Sequence, residues 1–212
     1  MSRAHVEHFE DLDRQAHAAH LGMWVFLASE SLLFAGLFAL YAALRVAHPA
    51  GFAEGVAHAK LAIGSANTFV LLTSSYAVAV AVRALRTGRP RLSWRLTLVA
   101  VALGVAFLVA KGVEYGLHLS EGMSPGGRGA FFDAHPVEGL ASYVTLYFAM
   151  TGLHALHVAV GVVVLTTLAL RVRRGAVTAE AAHPLALGAL YWHLVDVVWV
   201  FLWPMFYLVG SG

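Results

Sequence analysis

The stretch LGMWVFLASESLLFAGLFALYAALRV, residues 21–46, decides the fold class. From Leu21 to Leu44 it carries a single acidic or basic side chain, Glu30. A helix rises about 1.5 Å per residue, so roughly 20 apolar residues cross a hydrocarbon layer about 30 Å thick. This stretch meets that length. Four further runs of the same kind follow, at about 61–82, 95–118, 139–170 and 188–209. The fourth is long enough to tilt or to project beyond the bilayer. No segment between the runs could hold a separate folded domain. The expectation is an all-α, polytopic membrane bundle of five transmembrane helices over residues 21–212, preceded by a polar tail at 1–20.

Composition agrees. Hydrophobic residues make up 59% of the 212-residue chain and charged residues 12%, against roughly 45–50% and about 25% in an average soluble domain. So little charge cannot coat a globular surface, and so much apolar character argues against disorder. Nucleic acid is not an expected partner, because the formal net charge is only +2 and the basic residues sit in short loops. The absence of cysteine excludes disulfides, thiolate metal sites, iron–sulfur clusters and covalent haem attachment. The tail holds His5, His8, His17 and His20 among Glu10, Asp11 and Asp13. It lacks the features of a secretory signal and is expected to remain as a solvated segment beside the membrane.

The loops predict an orientation. Arg83, Arg86, Arg89, Arg91 and Arg95 cluster between the second and third runs, and Arg171, Arg173 and Arg174 follow the fourth. With Arg3 and Arg14, that side carries ten basic residues, against Arg45, Lys60 and Arg128 on the other. The positive-inside rule then puts the N-terminus in the cytoplasm and the C-terminus outside. The external segment 119–138 contains Pro125, Gly126, Gly127, Gly129 and Pro136, which predict irregular structure.

A charge inside a span costs roughly 2.5–3.5 kcal/mol on insertion scales, so each one calls for an explanation. The spans contain Glu30, Lys111, Glu114, His154, His157, His193 and Asp196. Glu30 lies near mid-membrane. Two readings are open for it: a proton-exchanging carboxyl, or a neutral acid that ties two helices together. Lys111 and Glu114 share a helix face and are expected to form a structural ion pair close to water at the external end. His154 and His157 share a face, as do His193 and Asp196. These four could in principle ligate a divalent metal, but histidines hydrogen-bonded between helices are the commoner arrangement, and no metal site is expected. Asp196 and Glu30 fall at similar depth, which suggests one polar layer. Gly36, Gly64, Ser65, Ser74, Ser75, Gly104, Gly152 and Gly161 permit close helix packing. Trp24, Trp94, Trp192, Trp199 and Trp203 are expected to form an aromatic belt.

Taken in order, the polar motifs resemble one family. Leu21–Glu30 resembles the first shared helix of cytochrome c oxidase subunit III, where the glutamate is known for reacting with a carbodiimide. Residues 67–75, Asn-Thr-Phe-Val-Leu-Leu-Thr-Ser-Ser, are similar to that family's Asn-Thr-x-x-Leu-Leu-x-Ser-Ser segment. Glu114-Tyr115 resembles its Glu-Tyr pair, although Lys111 stands where glutamine is usual. Residues 151–158 resemble the Thr-Gly-x-His-x-x-His-Val signature, and 191–199 the C-terminal signature. Each of the five spans carries one motif, in the family's order. The mitochondrial form has two further helices at the start; this chain is similar to the five-helix bacterial form.

The resemblance implies a non-catalytic subunit of a haem–copper terminal oxidase in a bacterial inner membrane, within aerobic respiratory electron transport and proton translocation. Its implied partners are the catalytic subunit I, subunits II and IV, and membrane lipids, including bound phospholipid. The redox centres belong to those partners: subunit I of such an oxidase uses six histidines, and only His154, His157 and His193 lie deep in spans here. No catalytic or cofactor-binding residue is expected in this chain. The proton-linked candidates are Glu30, Glu114, His154, His157, His193 and Asp196. Three other readings stand at this point: an accessory subunit of a nitric oxide reductase, a proton or metal transporter, and, ranked lowest, an intramembrane hydrolase using Ser29, Ser74 or Ser75.

Overall fold

A computed structural model describes residues 3–208, with side chains from Ala18 onward. The tail residues His5, His8, Glu10, Asp11, Asp13 and His17 therefore fall outside the described side chains. The fold is 84% helix, with no strand among the described residues. Among the described residues seven helices follow one another: α1 (Arg3–Ala47), α2 (Pro49–Ala57), α3 (Leu61–Arg86), α4 (Pro90–Ser120), α5 (Ala130–Ala134), α6 (Leu140–Arg173) and α7 (His183–Tyr207). Five are long and apolar enough to cross a membrane: Ala18–Ala47 of α1, then α3, α4, α6 and α7.

The helices outrun the apolar windows. α4 begins at Pro90 rather than near 95, and α7 at His183 rather than near 188. Hydropathy marks only the hydrocarbon-facing part of a helix, whereas backbone hydrogen bonding continues into the headgroup region. Pro90 at the first position of α4 suits a helix start, since its missing N–H would have no intrahelical partner. At 34 residues, α6 is about 51 Å long, longer than a bilayer with its headgroups at roughly 40–45 Å.

α3, α4, α6 and α7 form the packed body, and α1 lies against its flank. Only 11% of the most apolar stretch of α1 is buried, against 56% of that of α7. Trp192 of α7 anchors the body. It is fully buried and slots against Gly104 of α4 and Gly161 of α6. A Cβ at those glycines would lie 2.7 and 2.6 Å from its ring. Gly64 likewise accepts the ring of Tyr207, at 2.7 Å from a built Cβ. Gly36 meets nothing within 4 Å and has no such role.

The belt reading is corrected for two tryptophans. Trp192 and Trp199 belong to the core rather than the interface. Each indole N–H has a partner inside the bundle: Trp192 Nε1 donates to Ser74 Oγ at 3.1 Å and Trp199 Nε1 to Thr68 Oγ1 at 3.0 Å. A satisfied N–H is what allows an indole to be buried. Trp94 does sit at a span end, within cation–π distance of Arg95 and Arg173.

The connections on the side opposite the N-terminus form a small cap. Hydropathy does not foretell α2, which begins with Pro49 and buries Phe52 and Val56. Gly51 lies directly against the backbone of Glu138, Gly139 and Leu140, where no side chain would fit. Segment 119–138 is irregular as expected once α4 has ended at Ser120, apart from the short α5, and its Gly122, Gly126, Gly127 and Gly129 all adopt positive φ. Lys60 Nζ meets Glu121 Oε1 at 2.6 Å and fastens the two connections together.

Candidate functional site

The polar residues selected from the sequence separate into distinct groups, each at a different helix junction. The largest joins α4, α6 and α7. Lys111 Nζ donates to Glu114 Oε2 at 3.1 Å, Tyr147 Oη at 2.9 Å and Tyr207 Oη at 2.8 Å. Both tyrosines pass their own protons to Glu114 Oε1, at 2.8 Å from Tyr147 and 2.6 Å from Tyr207. His118 Nε2 stands 3.9 Å from the same oxygen. Every proton of the ammonium thus has an acceptor, and the carboxylate receives donors on both oxygens. The Tyr147 ring also faces the ammonium, 4.5 Å from its centroid.

The ion pair is where the spacing predicts it, but its setting is not. Lys111 and Glu114 are 2% and 0% exposed, so they are enclosed by protein rather than close to water. Depth along the helix says how far a residue is from the membrane surface; it does not say whether neighbouring helices cover it. Two desolvated charges persist only with such complete hydrogen bonding.

The second group joins α1 to α6. His157 Nε2 lies 2.9 Å from Glu30 Oε2. The other ring nitrogen, Nδ1, lies 2.8 Å from the Leu153 carbonyl of its own helix. A carbonyl can only accept, so Nδ1 carries a hydrogen. Tyr191 of α7 donates to the His157 carbonyl at 3.0 Å, and Phe34 packs edge-on to the imidazole. Neither side chain of the pair is fully enclosed, with 15% of His157 and 18% of Glu30 exposed.

The third group lies between α3 and α7. Ser75 Oγ is 2.6 Å from His193 Nδ1. The sequence pattern sets no serine beside a histidine; the packing of α3 on α7 does. This is still not a hydrolytic triad. Among the described residues no carboxylate pairs with the imidazole of His193 to orient it as a base. Both carboxylate oxygens of Asp196 are buried without a well-formed hydrogen bond.

His154 stands by itself. It is fully buried, neither ring nitrogen has a hydrogen-bond partner, and it stacks on Trp199 with ring centroids 5.1 Å apart, with Phe107 edge-on at 5.5 Å. The pair His154 and His157 therefore splits: one ring faces the interior and the other faces α1. The six selected residues do not converge on a common metal position.

Tyr147, Tyr207 and His118 complete the Lys111–Glu114 group, and the sequence reading did not single them out. A signal exists for Tyr147. It shares with Thr151, His154 and Val158 a stripe at helical spacing on the buried face of α6. Tyr207, by contrast, reaches Lys111 only through the packing of α7 on α4.

Known proteins match the chain along nearly its whole length. Cytochrome c oxidase subunit III matches residues 12–211 of the chain. The cytochrome c oxidase subunit 3 of Thermostichus vulcanus is 32% identical over 190 residues, covering 89% of this chain and 86% of that protein. A protein of Staphylococcus aureus (strain USA300) named "Probable quinol oxidase subunit 3" is 29% identical over 204 residues, covering 94% of each chain. The five apolar spans and the match along nearly the whole length together make this chain a member of the cytochrome c oxidase subunit III family, a non-catalytic subunit of a haem–copper oxidase.

Proposed function

We propose that this subunit packs against the catalytic subunit I of its oxidase, stabilises it, and supports proton uptake on the cytoplasmic side. Subunits II and IV complete the proposed complex, which carries the haem and copper. The complex lies in a bacterial inner membrane with the Arg-rich turns in the cytoplasm. The ten-to-three division of basic residues supports that orientation.

The observation that carries the proton-linked part is the Glu30–His157 contact. With the hydrogen on Nδ1 committed to Leu153, one further proton must lie between Nε2 and the carboxyl oxygen for the two to bond. The pair therefore holds a single shared proton, whether as acid and imidazole or as carboxylate and imidazolium. It sits on the thinly packed α1 flank and is partly exposed, so a neighbouring subunit can reach it. A groove of about 410 Å³ lined by Met23, Phe26, Val160, Val164 and Leu187 runs along the same flank. Its apolar walls suit the acyl chain of a bound phospholipid.

The test is to isolate the oxidase from native membrane with and without this chain. A haem spectrum and a large histidine-rich partner co-purifying with the chain support the assembly. Oxygen consumption that starts at the normal rate without the chain but decays faster supports the stabilising role. Identical decay with and without it refutes that role.

A further inference from the structure

We infer that Glu54, His58 and His135 form a binding site for a borderline divalent transition metal such as Zn²⁺, on the cap opposite the N-terminal side. One ligand atom from each residue lies within 4.8 Å of the other two. The residues come from the two connections that flank α3 and α4: Glu54 from α2, His58 from its C-terminus, and His135 from the end of α5. They are separate from all the groups inside the spans and owe nothing to the proposed role in proton uptake.

The donor set selects the metal. Two imidazoles and one carboxylate match a three-ligand zinc site with a fourth position left to water. Calcium and magnesium prefer all-oxygen sets. The outer contacts match too. His58 Nδ1 lies 3.0 Å from the Glu54 carbonyl and His135 Nδ1 lies 2.9 Å from the Phe131 carbonyl. Carbonyls only accept, so each ring holds its hydrogen on Nδ1 and keeps an unprotonated Nε2. Metal-ligating histidines are characteristically held in this way, with the second nitrogen donating to a carbonyl or carboxylate.

The cap also holds the rings in place. Phe131, itself buried, stacks on His135 at 4.6 Å and meets His58 edge-on at 5.2 Å. The two imidazoles stand 5.0 Å apart at their centroids. Zinc–nitrogen bonds of about 2.0–2.1 Å need the ligands somewhat closer together; all three side chains are only half-buried, which leaves room for the small side-chain rotations that closing the gap requires. The nearby cation Lys60 does not oppose a metal, because Glu121 already neutralises it at 2.6 Å. A bound metal would clamp α2 to α5 and so tie the two connections a second time.

The test is a Zn²⁺ titration of the full-length, untagged chain in detergent, with a chromophoric competitor, comparing the parent with His58→Gln, His135→Gln and Glu54→Gln. The parent is expected to take up one Zn²⁺ that each variant binds at least about tenfold more weakly. Zn²⁺ is expected to raise the melting temperature of the parent and not that of His135→Gln. Zinc held by the N-terminal histidines would survive all three substitutions, so equal affinity in parent and variants overturns the proposal. Should a histidine variant fail to fold, Glu54→Gln leaves both rings in place and decides alone, since unchanged affinity there also overturns it.

Discussion

Glu30 and His157 meet at 2.9 Å although 127 positions separate them in the chain. This hydrogen bond ties α1 to the packed body, as does the one that Tyr41 Oη donates to the Met205 carbonyl. The two readings of Glu30, helix tie and proton carrier, therefore apply to the same bond, and substitutions can separate them.

A Glu30→Gln chain keeps the tie, because the amide N–H can donate to the Nε2 lone pair just as the acid does. It is expected to assemble and support turnover like the parent. Glu30→Ala leaves Nε2 without its partner, at a cost of about 1–3 kcal/mol, and should loosen retention of the subunit. Oxidase activity, inactivation rate and subunit content measured for both variants decide the matter. An assembled Gln variant that loses most activity at once would make the shared proton, rather than the tie, the function of Glu30.

Lys111→Ala removes the ammonium that pairs with the Glu114 carboxylate in its buried site. Breaking one side of a buried ion pair costs about 3–5 kcal/mol, and thermal unfolding in detergent should show a correspondingly large loss. Tyr147→Phe and Tyr207→Phe each delete one donor to Glu114, and about 1.5–3 kcal/mol is expected for a hydrogen bond to a charged group. Melting of the Lys111→Ala chain at the parent temperature would contradict the network.

Gly161→Ala should destabilise the bundle by about 1–3 kcal/mol, because the new methyl collides with the Trp192 ring and overpacks the core. Gly36→Ala is the control. It meets open space and gains helix propensity, so it should melt at or above the parent temperature. Equal melting shifts in the two variants would show that Trp192 does not seat against Gly161.

Because the chain has no cysteine, single cysteines report its orientation cleanly. A cysteine at Thr87, exposed in the α3–α4 turn, should react with an impermeant reagent only from the cytoplasmic side. A cysteine at Ser124, in the segment that follows α4, should react only from outside. The reverse pattern would reject the positive-inside assignment.

The sequence alone determined the membrane class, the number of spans and the family. Each of these depends on local, one-dimensional information. An apolar run long enough to cross a bilayer, broken by the single acid Glu30, is visible at residues 21–44 without any neighbour, and the Lys111–Glu114 pair follows from spacing on one helix. The five motifs are likewise contiguous strings. What only the tertiary structure decided is which side chains meet across helices, because that depends on how each helix is rotated about its axis. Depth placed Glu30 level with Asp196, yet rotation gave it to His157. Periodicity put His154 and His157 on one face, yet the roughly 60° between neighbours three apart on a helix turned one ring toward Trp199 and the other toward α1. Tyr207 reached Lys111 and Ser75 reached His193 for the same reason, and His58 met His135 because two connections distant in sequence fold onto each other. Burial was also beyond the sequence, since enclosure of Lys111 and Trp192 comes from the surrounding helices and not from the hydropathy of the segment that carries them.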